Sequence, residues 1–247
     1  MDELNLTSVD ICYLFKYVEK NGRPNGNPWS IRQSGVYHRY SPKVNSNVWL
    51  LLHPLADSVA QRRLNDWYSR PHHSLNINPL RIHILLLSSY LDNWRWYLKD
   101  LGNTFLNIVS KATRDFVRLH STEGLLTSVQ ADISMTIDIQ EDYDLSFTTL
   151  QDLRHLEQKV IPLRASFQAN LEIVQVLEAT NKEFQNAGFY TEEEAVEQTD
   201  CLRLFVSQLR GHLLSVKILE KRIQGVVFLV RPSFSPHYTF KGSNDCS

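Results

Sequence analysis

Nine histidines are the residues best equipped for chemistry in this chain, and their spacing gives them little to do together. His72 and His73 are adjacent beside Pro71, and sequence neighbours seldom converge on one ion. No His-Glu-x-x-His, no Cys-x-x-Cys and no histidine pair at helical spacing occurs, so the usual zinc patterns are absent. His83, His155 and His212 fall beside apolar positions of helical patterns and read as structural. The densest acidic cluster is Asp138, Glu141, Asp142 and Asp144. It lacks the glycine and the terminal bidentate glutamate of a calcium loop. A solvated acidic loop is the plainer reading, and a weak divalent-cation contact the sharper one. No Gly-x-Ser-x-Gly elbow and no phosphate-binding glycine loop is present. These residues carry no catalytic, cofactor-binding or metal set, and the chain does not read as an enzyme.

Two further clusters have a functional reading beside a plainer one. Trp94, Arg95, Trp96, Tyr97 and Lys99 interleave aromatic and basic groups, as a base-stacking surface would. Their helical spacing favours packing instead, with Trp94 in the core and Trp96 and Tyr97 flanking it. Lys217, Lys221, Arg222 and Arg231 make the end of the last helical pattern basic. They complement a helix dipole, or they form the cytoplasmic collar that accompanies membrane segments.

Composition bounds the rest. The 26 basic and 27 acidic residues leave a formal charge of -1, which removes a global attraction to nucleic acid. Cys12, Cys201 and Cys246 are scattered and suit a reducing compartment. The first residues, Met1-Asp2-Glu3-Leu4, are acidic where a secretory leader is basic. The strongest apolar runs, 48–52, 82–87 and 226–230, are far short of the roughly 20 residues that cross a bilayer. The sequence therefore reads as a soluble cytoplasmic chain, reaching the cytosolic face of a membrane only through partners.

The elements that would position these groups are mainly helical. Thr7-x-x-Asp10 resembles a capping box before Ile11, Leu14, Phe15 and Val18, which predicts a short amphipathic helix. Residues 21–28 (NGRPNGNP) form a dense turn segment. Residues 31–40 and 48–53 read as two antiparallel strands joined by 41–47. Asp57 or Ser58 caps a helix through Leu64 and Trp67, which the loop 69–77 ends. Asn78-Pro79 then starts one helix expected to run to about Leu119, with Gly102 inside it and the register of Leu98, Leu101 and Phe105 kept across the glycine. Ile133, Met135, Ile137 and Ile139 alternate with polar residues, as in a strand, with a mobile polar loop as the alternative. Thr148-x-x-Gln151 predicts the start of the next helix, kinked at Pro162, with Asn170 and Asn181 interrupting its seam. Residues 186–188 end it, and Thr191-x-x-Glu194 opens the last helix.

Two apolar seams keep a 3.5-residue period. One is Leu80, Ile84, Leu87, Leu91, Trp94, Leu98, Leu101, Phe105 and Ile108. The other is Leu202, Val206, Leu209, Leu213, Val216, Glu220, Ile223 and Val227, with one polar member. Such seams belong to helices that lie along other helices. The expected fold class is α+β and mostly helical, a small antiparallel β element with long heptad-patterned helices forming a hairpin or stalk. The expected division is 1–140 as an α/β part with a long helix, 141–231 as a hairpin or stalk, and 232–247 as a disordered tail.

Family likeness enters on specific motifs. Residues 28–38 (PWSIRQSGVYH), 49–54 (WLLLHP), 93–98 (NWRWYL), 143–147 (YDLSF) and Leu219-x-x-Arg222-x-x-Gly225 occur in order along the chain. They resemble the fungal CorA-like transporter domain. The resemblance implies a cytosolic α/β part, a stalk helix, and two membrane helices forming a pentameric divalent-cation pore with a Gly-Met-Asn filter. The chain departs from that pattern, because its methionines are Met1 and Met135 and neither lies in such a motif. The expectation is a soluble domain like that of a CorA-like magnesium or divalent-cation transporter, without the pore, regulatory or truncated. Its partners would be further copies of itself, as in the family pentamer, with a weakly bound divalent cation. The alternative is a stand-alone coiled-coil interaction module that binds a partner helix.

Overall fold

The computed structural model describes residues 8–24, 26–53, 56–69, 78–114 and 147–229 in full, and the helical backbone of 115–122, 131–146 and 230. The chain is α+β and mostly helical, as the patterning implies. Three strands, β1 (Val9–Lys20), β2 (Trp29–Ser41) and β3 (Ser46–Leu52), form one antiparallel sheet in the order β1-β2-β3. Among the described residues five helices follow: α1 (Val59–Tyr68), α2 (Arg81–Ser88), α3 (Leu91–Thr122), α4 (Ala131–Asn186) and α5 (Glu192–Val230). Among the described residues no helix is long and apolar enough to cross a membrane. The chain divides into two compact units. One comprises residues 1–100 with 162–217, the other 101–161 with 218–247.

The first unit holds the sheet. Residues 9–20 form a strand, where the capping-box reading expected a helix. Ile11, Leu14, Phe15 and Val18 fit a helical period, but Ile11, Tyr13, Phe15 and Tyr17 also fit a period of two. The twelve-residue ladder with β2, from Val9↔Tyr40 to Lys20↔Trp29, decides between them. The 21–28 segment is the hairpin loop. Asn21 donates its N–H to Pro28 O at 2.8 Å, and its amide side chain donates to Asn27 O at 2.9 Å. The expected pair of strands forms β2 and β3, with register Gly35↔Leu52 to Ser41↔Ser46, linked by a 3-10 turn at Pro42–Val44.

This parity gives the sheet two different faces. Ile11, Phe15, Tyr17, Val36, His38 and Tyr40 are buried on the inner face. Leu14, Ile31, Val48, Leu50 and Leu52 are exposed on the outer one. Gly35 lies between Leu14 and Leu52 on that outer face, where an added Cβ would meet Leu52 Cβ at 3.2 Å.

The helix expected from 80 to about 119 is two helices, broken at Ser89–Tyr90 and continuous through Gly102. The reason is the serine pair. Ser88 and Ser89 donate their hydroxyls to Leu85 O at 3.1 and 2.7 Å, competing with the helical ladder. Arg63 of α1 binds the Ser88 and Ser89 hydroxyl oxygens at 3.0 and 2.9 Å and fixes the break. Asn78 accepts from Leu80 N–H at 2.9 Å just before α2 starts. The seam survives the break, with Leu80, Leu87, Leu91 and Trp94 all buried. Ser58 caps α1 as expected, accepting from Gln61 N–H at 3.1 Å.

Around the α4–α5 turn, sequence and structure agree. Gly188 adopts φ +72°, and Phe189 N–H reaches Phe184 O at 3.1 Å while Gly188 N–H reaches Gln185 O at 3.0 Å. This is a Schellman ending, with the Phe184 and Phe189 rings 5.5 Å apart as its apolar contact. Thr191 and Glu194 then form the capping box, Glu194 N–H donating to Thr191 Oγ1 at 3.3 Å and Thr191 N–H to Glu194 Oε2 at 3.1 Å. Asn181 ties the two helices together, donating to Ala195 O at 3.1 Å and Thr199 Oγ1 at 2.9 Å.

The second unit is helical. Among its described residues, Leu101, Phe105, Leu153, Leu156, Val160, Leu219, Ile223 and Val227 are the buried apolar ones. Residues 131–139 are helical backbone of α4, where alternation suggested a strand or loop, and Thr148 and Gln151 lie inside that helix instead of starting it. A period of two over nine residues is too short to outweigh the helix that continues on its C-terminal side. Pro162 also lies within α4.

Candidate functional site

The densest polar constellation lies on the inner face of the sheet, where strand alternation turns His38 and Trp49 toward α2. His38 of β2 and His83 of α2 are both fully buried. His38 Nδ1 lies 3.1 Å from His83 Nε2, and His38 Nε2 lies 2.8 Å from Asn47 Oδ1. The Tyr13 hydroxyl is 2.8 Å from His83 Nδ1. Trp49 closes the group. Its ring stacks on His38 at 3.8 Å and 6°, and lies 4.5 Å from His83.

Because each neutral imidazole has one donor and one acceptor, these contacts fix the direction of every bond. Asn47 Oδ1 can only accept, so His38 carries its hydrogen on Nε2 and accepts at Nδ1. His83 must then donate from Nε2 and accept at Nδ1, and Tyr13 donates its hydroxyl. The chain runs Tyr13 → His83 → His38 → Asn47. Burial holds the His38 imidazole below its ordinary range, while the Asn47 bond and Asp10 pull the other way. Burial, and then the charge of a protonated His38, hold His83 well below it. Burial pushes the Tyr13 phenol up. The site is therefore neutral near pH 7. It relays hydrogen bonds and holds no charge.

A second chain runs beside the first. His53 Nε2 lies 2.9 Å from the Tyr17 hydroxyl and 2.7 Å from that of Tyr90, which also accepts from Ala60 N–H at 3.3 Å. The Tyr17 and Tyr90 rings stack at 4.0 Å. Tyr90 is the residue at the α2–α3 break, so the break places a hydroxyl where the sheet and α1 both reach it.

The residues singled out from the sequence fall elsewhere, with one exception. His83 is a member of the relay. His155 is exposed on α4, and His212 packs against Phe167 at 5.6 Å with its imidazole lowered by burial. Trp94 and Tyr97 are buried, but Trp96 is half exposed, with Arg95 and Lys99 at 5.7 and 5.4 Å from its ring. His72, His73, Arg231 and the 232–247 segment lie outside the described residues, as do the side chains of Asp138, Glu141, Asp142 and Asp144. Among the described residues, no group of three His, Cys, Asp or Glu side chains is placed to hold a metal ion. Sequence reasoning missed His38, Asn47 and Tyr13 as a set. The available signal was parity, since Val36, His38 and Tyr40 share one face of a strand.

This sheet-and-helix region is also where the chain meets a known family. Residues 7–113 match the family model of CorA-like transporters. The matched stretch takes in β1, β2, β3, α1, α2 and most of α3, and with them every member of both histidine chains. A comparison with curated proteins gives no match.

Proposed function

We propose that this chain is the non-membrane domain of a CorA-like divalent-cation transport system, acting in assembly and regulation. The family match over 7–113 carries the reading, because it spans the sheet, the histidine relay and the start of the long helices in one stretch. In this role α3, α4 and α5 provide helical surface on which further copies or a pore-bearing subunit assemble. The domain works by binding, and magnesium or a similar divalent cation is the cargo of the assembly it serves. The test is crosslinking in cells followed by denaturing purification and mass spectrometry. A crosslinked subunit bearing a Gly-Met-Asn pore motif supports the reading. Abundant, folded chain with no such subunit contradicts it.

A second reading, a stand-alone helix-binding module, is favoured by one observation. Val196, Leu204 and Leu214 of α5 are exposed on the side away from its buried seam. Exposed apolar side chains of this kind suit contact with a partner helix.

A further inference from the structure

The relay at His38 and His83 has no place for a second positive hydrogen-bond donor, and this gives it a response to acid. In the neutral state every N–H and O–H of the chain has one acceptor, in the order Tyr13, His83, His38, Asn47. A proton added to His38 puts an N–H on Nδ1, facing His83 Nε2. His83 then carries its own hydrogen on Nδ1 and donates it to the Tyr13 oxygen, so that bond reverses and the Tyr13 hydroxyl hydrogen loses its acceptor. A proton added directly to His83 has the same effect on Tyr13. Two added protons place N–H against N–H at the 3.1 Å contact. The first addition therefore reverses the bond that joins β1 to α2, and the second breaks the one that joins β2 to α2.

Among the described residues, the charge that opposes this is weak and exposed. On β1 the facing group is the Tyr13 phenol. Asp10 is the carboxylate that favours a protonated His38, and it lies exposed on the outer face of the sheet, bound by Arg39 at 2.7 and 3.0 Å. From β3 the facing groups are Asn47 and Trp49, both uncharged. From α2 the facing group is His83 itself, and Arg81 at the start of that helix is exposed and cationic. A second chain, His53 with Tyr17 and Tyr90, holds the same sheet to the α2–α3 break, so release at His83 can be local.

We propose that the His38–His83 pair is an acid-sensitive latch between the sheet and α2, closed when both imidazoles are neutral and opened by proton uptake. The sign follows from linkage. Both folded-state values are depressed, so the open state binds protons first, starting at the ordinary histidine value near pH 6.5. Below that pH the opening constant rises about tenfold per pH unit for each histidine that stays neutral in the closed state.

The full chain labelled with 15N tests this by histidine spectra and by hydrogen exchange, the latter normalised to unfolded-peptide rates. The expected spectra show His38 and His83 as neutral Nε2–H tautomers that do not titrate near pH 6.5. The expected exchange at α2 and β3 amides accelerates about tenfold or more between pH 6.5 and 5.5. His38→Gln with His83→Gln removes the titrating groups and is expected to abolish that acceleration, while exposed His155→Gln retains it. Ordinary titration near pH 6.5 with α2 exchange unchanged overturns the proposal, as does a double variant with the wild-type acid response. Should the double variant not fold, the wild-type spectra and exchange decide alone.

Discussion

Asn170 on α4 and Lys16 on β1 pair through both halves of an amide. The Asn170 side chain donates to Lys16 O at 2.7 Å and accepts from Lys16 N–H at 3.1 Å. Asn93 on α3 does half the same two residues on, donating to Val18 O at 2.9 Å. Lys16 and Val18 turn their peptide groups away from β2, so these asparagines satisfy the free edge of β1 and close it to other strands. Asn170 itself is fully buried at a seam position of α4.

Asn170→Leu is expected to destabilise the protein by about 2–4 kcal/mol, since it leaves a buried peptide N–H and C=O without partners. Asn170→Asp is expected to be no milder, because a carboxylate cannot donate to Lys16 O. Urea unfolding of both variants measures this, and a loss below about 0.5 kcal/mol for either would show that water replaces the clamp.

Much of the fold was legible because its signals are local. The Asn21–Pro28 turn, the Ser58 cap, Gly188 and the Thr191/Glu194 box each act over a few residues, and each stands where the sequence put it. The first strand was missed because Ile11, Leu14, Phe15 and Val18 satisfy two periods at once, and only pairing with β2 separates them. The break at Ser89 was missed because the apolar seam passes straight through it, while the serine hydroxyls and Arg63 decide the backbone. Asn170 and Asn181 looked like flaws in a seam, since their partners lie 154 and 14 residues away. The histidine relay was hidden for the same reason: Tyr13, His38, Asn47 and His83 come from four separate elements.

The α5 seam is structural. Leu209 is fully buried on it, whereas Leu204 is 56% exposed on the other side of the helix. Leu209→Ala is expected to cost about 2–5 kcal/mol and Leu204→Ala under about 1 kcal/mol. Thermal or urea unfolding of the two variants compares them, and equal losses would mean that Leu204 is covered in solution by a partner.

Gly188 tests the turn that joins α4 to α5. An added Cβ meets nothing within 4 Å, so only its φ of +72° opposes a side chain. Gly188→Ala is expected to lower stability by about 1–2 kcal/mol, and Gly188→Asn by less, because asparagine tolerates the left-handed region. Equal losses for the two would show that packing, not backbone conformation, selects glycine here.

Magnesium entry tests the transport reading most directly. The full chain is expressed in cells loaded with a magnesium-sensitive dye, and the initial rate of entry is compared with that of cells lacking it. The expected result is a changed rate, lost again when Asn170→Leu unseats the sheet from α4. Entry at the control rate, with the chain folded and abundant, would contradict a role in divalent-cation transport.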